Sequence, residues 1–178
     1  MSTGAKELVI VDYGVGNLQS LKRAFNFCGV EPVISEDPDV VAVADILVLP
    51  GVGSFEAGMR GLKLRGLTEV VKRVIKFQEL PEKEKIPQVG WNSVLPSASV
   101  SWRGTIFNGL EKRCIVYFVH SYIFKPEDTQ NVLGETIYGG LTFCSAVRKG
   151  NVYGTQFHPE KSGTVGLEIL KNFVTLVN

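Results

Sequence analysis

The sequence DILVLPGVG, residues 45–53, joins an almost wholly apolar run to a tight turn that contains two glycines. Such a run is typical of a strand buried on both faces of a parallel sheet. A second run, LVIV at 8–11, leads into another glycine turn, and apolar residues then recur at helical spacing from Leu18 to Cys28. Strands and helices therefore alternate, which predicts an α/β fold with a mostly parallel sheet.

The other elements can be placed along the chain, and strands dominate its second half. Asn17 is expected to cap the first helix, and Gly29 is expected to follow the end of that helix. A short strand at 33–34, helices at 38–43 and 55–77, and a charged loop at 78–85 come next. Six further strands are predicted at 89–94, 100–102, 115–124, 132–137, 141–148 and 152–157, and they are expected to form an antiparallel portion of the sheet. An amphipathic helix is predicted at 162–177.

Composition excludes several classes of protein. The 178 residues suit one domain spanning 1–178, and 19 basic against 18 acidic residues argue against a nucleic-acid partner. Three distant cysteines without a CxxC pair, and only two histidines, argue against a metal site and indicate reduced thiols and a cytoplasmic location. We expect neither a membrane span nor a signal peptide. The turn at 14–16 lacks the third glycine of a dinucleotide site, so no cofactor is expected.

The sharpest chemical motif is QFHPEKS at 156–162. His158 follows a predicted strand, and Glu160 stands two residues later, where its carboxylate can reach the imidazole. A histidine oriented by a carboxylate is the base half of a nucleophile–base–orienter set. Taken alone, the pair could also be a histidine at a strand end with an acid at the start of the next helix.

The motifs taken together resemble one family. They are VDYGVGNLQSL at 11–21, LVLPGVGSFEAGM at 47–59, PQVGWNSV at 87–94, YFVHSYIF at 117–124, AVRKGNVYGTQFHPEKSG at 146–163 and ILKNF at 169–173. In this order they resemble the glutaminase subunit of imidazole glycerol phosphate synthase, a class I glutamine amidotransferase of histidine biosynthesis. The resemblance implies a three-layer α/β sandwich and hydrolysis of glutamine to glutamate and ammonia. It also implies a (β/α)₈ cyclase partner in a heterodimer and no cofactor.

The resemblance also assigns roles to residues. It implies that His158 is the catalytic base and Glu160 the acid that orients it. The turn with Gly51, Val52 and Gly53 corresponds to the oxyanion loop, a role that glycines allow because they let a backbone amide face the oxyanion. The remaining assignments are Ser121 and Tyr122 for glutamine binding, and Trp91, Asn92 and Lys161 for the face that docks on the cyclase.

One part of the family pattern is missing. The nucleophile of the family is a cysteine in a G-x-C-x-G turn between a strand and a helix, and no such motif occurs here. The interval from Gly53 to Pro87 lacks room for that central strand–elbow–helix unit, which takes on the order of 30 residues. Cys28, Cys114 and Cys144 are each expected to be structural thiols.

Two explanations stay open: a stretch missing from the sequence, or a true deletion. We therefore carry three hypotheses for function. The first is the amidotransferase subunit, the second is a non-catalytic partner that docks on the cyclase without making ammonia, and the third is a related domain that serves another acceptor.

Overall fold

The structure, a computed structural model, divides the chain into two compact units. The first is Met1–Val74 with Asn178, and the second is Ile75–Val177. Each unit contains its own sheet, one of three strands and one of seven. The residues that the structure describes are 6–14, 16–51, 60–61, 63–64, 77–79, 87–98, 100–126 and 128–177.

A parallel sheet forms the centre of the first unit. Strand β1 (Leu8–Val11) lies between β2 (Val33–Ser35) and β3 (Ile46–Val48), and both neighbours run parallel to it. All four residues of β1 are buried. The prediction of a strand buried on both faces is therefore confirmed for LVIV, because a central parallel strand buries both of its faces.

The helices of the first unit begin where side chains can cap them. Helix α1 (Leu18–Phe27) starts after Asn17, whose Oδ1 accepts the Ser20 N–H at 3.3 Å, and helix α2 is Pro38–Val43. Gly29 follows α1 with a φ of +84°. These predictions are confirmed. The predicted helix at 55–77 lies mostly outside the described residues, although 60–61 and 63–64 are helical.

An antiparallel sheet forms the second unit. Its elements are β4 (Phe77–Glu79), β5 (Gln88–Pro96), β6 (Cys114–His120), β7 (Tyr122–Phe124), β8 (Val132–Tyr138), β9 (Leu141–Lys149), β10 (Val152–Thr155) and α3 (Gly163–Val177), with short 3₁₀ turns at Thr129–Asn131 and Pro159–Lys161. The strand order is β4-β7-β9-β8-β5-β6, with β10 paired to β9. The core beneath the sheet contains Phe107, Phe118 and Phe157, together with Ile169 from α3.

Three predicted elements of this unit are wrong. Residues 77–79, assigned to the end of a helix and to a loop, form β4, which pairs with β7. Residues 100–102 form no strand, because the Trp102 indole N–H donates to the Leu133 carbonyl at 2.9 Å and its ring stacks on Phe107. The single strand predicted at 115–124 is two strands, because β6 pairs with β5 whereas β7 pairs with β4 and β9.

Candidate active site

His158 lies just beyond the end of β10, beside β6. Its backbone N–H donates to the Tyr117 carbonyl at 2.9 Å, and the preceding Phe157 forms a bridge with Phe118. The imidazole is only 7% exposed. The backbone position of the histidine is therefore fixed by pairing to a neighbouring strand.

Glu160 folds back on the His158 ring. The 3₁₀ turn Pro159–Lys161 brings the carboxylate Oε1 within 3.0 Å of the imidazole Nδ1. Both side chains are almost fully buried. Because a carboxylate accepts hydrogen bonds, Nδ1 carries the proton in this contact and Nε2 is the basic nitrogen. The arrangement is the orienter–base half of a nucleophilic site.

Ser162 supports this pair, although it is not among the residues predicted for the site. Its hydroxyl donates to the His158 carbonyl at 2.6 Å and accepts the Tyr117 N–H at 3.0 Å. The hydroxyl thus joins β6, the 3₁₀ turn and the start of α3. The one signal in the sequence is a serine directly before an amphipathic helix, where serine is a common cap.

The segment assigned to glutamine binding lies at the junction of β6 and β7. Ser121 is half-buried between the strands, and Tyr122 begins β7 and is exposed. The neighbouring His120 is buried and contacts Gln88 through Nε2 and the Tyr122 carbonyl through Nδ1. Burial lowers the pKa of His120, and the field of His158 lowers it further, against the effect of the Tyr122 carbonyl.

The turn assigned to the oxyanion belongs to the first unit, and only its start is described. The Tyr13 hydroxyl donates to the Pro50 carbonyl, and Gly16 lies so close that a Cβ there would be 2.9 Å from the Pro50 Cβ. Burial raises the pKa of Tyr13 to about 12, so this hydroxyl keeps its proton. Gly51 is exposed, and Val52 and Gly53 lie outside the described residues.

The cysteines of the second unit are buried. Burial raises the pKa of Cys114 to about 11 and that of Cys144 to about 12. The Cys144 thiol also donates to the Ala146 carbonyl. A thiol of this kind holds its proton at neutral pH and is a poor nucleophile. Cys28 is the C-cap residue of α1 in the other unit.

Trp91, Asn92 and Lys161 reach the surface to different extents. The Trp91 side chain is 58% exposed and meets the Tyr117 ring edge-on at 5.8 Å. The Asn92 amide donates to the Ile137 carbonyl at 2.9 Å, and its Oδ1 accepts the Ser93 N–H. Lys161 is exposed in the 3₁₀ turn that carries Glu160. The roles of all the assigned residues stay predictions.

Metal clusters and membrane-spanning helices are both absent from the described part of the chain. They contain no group of three or more histidine, cysteine, aspartate or glutamate side chains that could hold a metal ion. Among the helices within these same residues, none has both the length and the apolar character needed to cross a membrane.

The fold and the motif define a class of protein. The family model for class I glutamine amidotransferases matches residues 66–177. Among solved structures, PurLQS from Thermotoga maritima superposes with a TM-score of 0.72 at 17% identity, covering 98% of this chain and 100% of that one. The glutaminase domain of a Trypanosoma brucei CTPS superposes with a TM-score of 0.61 at 13% identity, covering 96% and 94%. The α/β amidotransferase fold is therefore confirmed.

Closer relatives define the family within that class. The imidazole glycerol phosphate synthase subunit HisH of Syntrophotalea carbinolica is 41% identical, over 93% of this chain and 98% of its own length. The HisH subunit of Methanosarcina acetivorans is 36% identical, over 96% and 99%. This chain belongs to the HisH family of class I glutamine amidotransferases.

The same relatives show that residues are missing from this chain. The alignment with the S. carbinolica subunit extends over 207 positions, although this chain has 178 residues. The alignment covers 93% of the 178 residues, about 166, so about 41 of its positions have no counterpart here, and at least 29 would lack one even if every residue were aligned. That number leaves room for the strand–elbow–helix unit that the sequence lacks, which takes on the order of 30 residues.

Proposed function

We propose that the chain serves as the glutaminase subunit of an imidazole glycerol phosphate synthase, with residues 1–178 acting as one cytoplasmic domain. The observation that carries this proposal is the buried contact between His158 Nδ1 and Glu160 Oε1 at 3.0 Å. A carboxylate in this position orients the ring and stabilises the imidazolium that forms when Nε2 takes a proton. The proton comes from the thiol that attacks the glutamine side-chain carbonyl.

The substrate groups follow from the same chemistry. The tetrahedral oxyanion is assigned to backbone N–H groups in the turn Gly51–Gly53, which the Tyr13 hydroxyl anchors through the Pro50 carbonyl. Glutamine itself is assigned to Ser121 and Tyr122. Attack gives a glutamyl thioester and releases ammonia, and water then frees glutamate.

The nucleophile is the part that this chain does not supply. Cys114 and Cys144 are buried protonated thiols, and Cys28 ends a helix. We assign the thiol to the segment of at least 29 positions that the relatives carry, and we place that segment between Gly53 and Pro87. The 178-residue chain on its own should therefore release no glutamate.

This proposal is tested with a restored chain, in which residues 54–86 are replaced by the corresponding stretch of the S. carbinolica subunit. With the cyclase present, the restored chain should convert glutamine to glutamate. Its matched control carries alanine at the nucleophilic cysteine of the inserted stretch and should be inactive. Turnover by the unaltered 178-residue chain would contradict the assignment of the nucleophile.

A second function is favoured by the missing thiol itself: docking on the cyclase without making ammonia. One sheet face of the second unit carries five exposed apolar side chains from β5, β6 and β8. They are Val89, Trp91, Ile115, Val119 and Ile137. Exposed apolar patches of this size mark protein interfaces. We propose that this face, with Asn92 and Lys161, docks on a (β/α)₈ cyclase.

The docking proposal is tested by calorimetry with the cyclase. Trp91→Ser should weaken binding roughly tenfold or more, because a buried tryptophan is a common energetic centre of an interface. Val152→Ser is the matched control, since Val152 is 65% exposed on β10. Equal effects of the two substitutions would contradict the assigned face. Tight docking by the 178-residue chain would support the non-catalytic role if the natural protein also has this length.

A further inference from the structure

His120 is held at both ring nitrogens. It pairs directly with Gln88 across β5 and β6, and the two side chains are 8% and 3% exposed. The imidazole Nε2 lies 2.9 Å from the atom placed as the Gln88 side-chain oxygen Oε1, and Nδ1 lies 2.9 Å from the Tyr122 carbonyl oxygen, so both ring nitrogens face oxygens unless the Gln88 amide is turned by a half-turn. The ring therefore links a buried amide on one strand to the backbone of the β6–β7 junction.

The partners decide which nitrogen carries the proton. A carbonyl oxygen only accepts, so Nδ1 donates to Tyr122. In the neutral ring Nε2 then has only a lone pair, and the Gln88 amide must turn its NH₂ group towards it. The nitrogen and oxygen of an amide exchange places by a half-turn, so either end of Gln88 can face the ring. The opposite orientation, with the amide oxygen on Nε2, would require an imidazolium.

The surroundings of the ring favour the neutral form. Phe118 on β6 and Phe143 on β9 lie against it, at centroid distances of 5.6 and 5.3 Å. A buried charge beside two phenyl rings is costly. The titratable group that acts on His120 electrostatically is His158, and burial and His158 both lower the pKa of His120. Burial and the electrostatic effect of His158 therefore both disfavour a positive charge on His120.

We propose that Gln88 and His120 form a positioning pair for the glutamine-binding segment. Gln88 donates from its amide to Nε2, which fixes His120 as the neutral Nδ1–H tautomer, and Nδ1–H holds the Tyr122 carbonyl. The Ser121–Tyr122 turn is thereby kept in one conformation. That this conformation serves glutamine rests on the proposed function. The pair also leaves His158 as the one histidine that takes up a proton during turnover.

Nitrogen-15 NMR of the histidine rings tests the tautomer on the 178-residue chain. The sequence has two histidines, so assignment needs only the variant His158→Gln. At neutral pH we expect His120 Nδ1 at the shift of a protonated nitrogen and Nε2 at that of an unprotonated one. An Nε2–H tautomer or an imidazolium at His120 would overturn the proposal, even if both Gln88 variants failed to fold.

Two substitutions at Gln88 test the role of its donor. In Gln88→Glu a carboxylate can only accept, so His120 should gain a proton at Nε2 and titrate at a higher pH than in the unaltered chain. Gln88→Met is the uncharged control of similar length; it should weaken the preference for the Nδ1–H tautomer, which the Tyr122 carbonyl alone then supports, and shift the Ser121 and Ile123 amide signals. Unchanged ring and amide signals in both variants would contradict the positioning role.

Glutamine titration separates this inference from the function on which it rests. In the restored chain, Gln88→Met should weaken glutamine binding roughly tenfold or more, because a buried hydrogen bond that holds the binding segment is lost. Full affinity in this variant would overturn the positioning role. Absence of glutamine binding by the restored chain without this substitution would instead contradict the proposed function, and the ring-nitrogen shifts would then decide the inference.

Discussion

Individual side chains around His158 hold the residue that we propose as the catalytic base. Glu160 holds one ring nitrogen, and Ser162 holds the backbone of the same residue through its carbonyl. A base held in this way needs little reorganisation when it takes a proton. The contact with Glu160 could be expected from the sequence because it joins residues two positions apart. The bond from Tyr117 to Ser162 could not, since it spans 45 positions.

The three thiols should differ sharply in reactivity. With pKa values of about 11 and 12, Cys114 and Cys144 present on the order of one thiolate in 10³ and 10⁴ at pH 8. Both are also buried, whereas Cys28 is half-buried. Brief treatment of the folded chain with iodoacetamide should therefore add one adduct by mass spectrometry, and three after unfolding.

The control for this prediction is Cys28→Ser, which should add no adduct while folded. Labelling should rise with pH, because the deprotonated thiolate is the reacting form. Rapid native labelling of Cys144 would show that its thiol is open to attack and would contradict its exclusion as a nucleophile.

Helix α3 and the 3₁₀ turn before it determine where Glu160 lies. Gly166 packs so tightly on the turn that a Cβ there would lie 1.9 Å from the Pro159 carbonyl oxygen and 2.8 Å from the Ser162 Cβ. A glycine in a helix normally costs about 0.5–1 kcal/mol relative to alanine. The close contact explains its presence here.

Gly166→Ala should therefore destabilise the chain by about 1–3 kcal/mol, opposite to the usual effect of alanine in a helix. The backbone of the turn would have to move to admit the methyl group. Urea unfolding followed by circular dichroism measures the change. Thr164→Ala is the control, because Thr164 is exposed on the same helix. A stabilised Gly166→Ala variant would contradict the packing described here.

Elements with local signals were predictable from the sequence. Four consecutive apolar residues predict the buried strand β1, and a capping asparagine and a following glycine predict the two ends of α1. Elements that depend on distant partners were not. Residues 77–79 carry no strand signal of their own, because their strand depends on pairing with β7. Residues 100–102 form no strand, because the Trp102 side chain is buried and hydrogen-bonded to Leu133. Local propensity yields to tertiary contacts at such places.

The whole molecule combines the proposed base His158 with the absence of the nucleophile motif of the family. Within the described residues, β3 pairs with β1 alone. An unpaired edge next to apolar residues is costly unless another strand covers it. The strand expected in the absent segment fits the side of β3 that faces away from β1. The sequence could predict this gap because the missing motif has a defined size and place.

The mass of the protein purified from its natural source distinguishes the two explanations of the gap. The 178-residue chain has a mass of 19.5 kDa. We expect the natural protein to be heavier by at least 29 residues, because the relatives carry these additional positions and we assign the nucleophile to them. A mass of 19.5 kDa by intact mass spectrometry would establish a true deletion.

The most direct test of the account is glutamate release by the restored chain with and without His158→Asn, with the cyclase bound. His158 as the base predicts that the restored chain turns over and that the substitution lowers kcat by roughly 100-fold or more. Asparagine keeps a polar side chain of similar reach but cannot take the proton. Equal turnover by the two proteins would contradict the central claim that His158, braced by Glu160, activates the thiol.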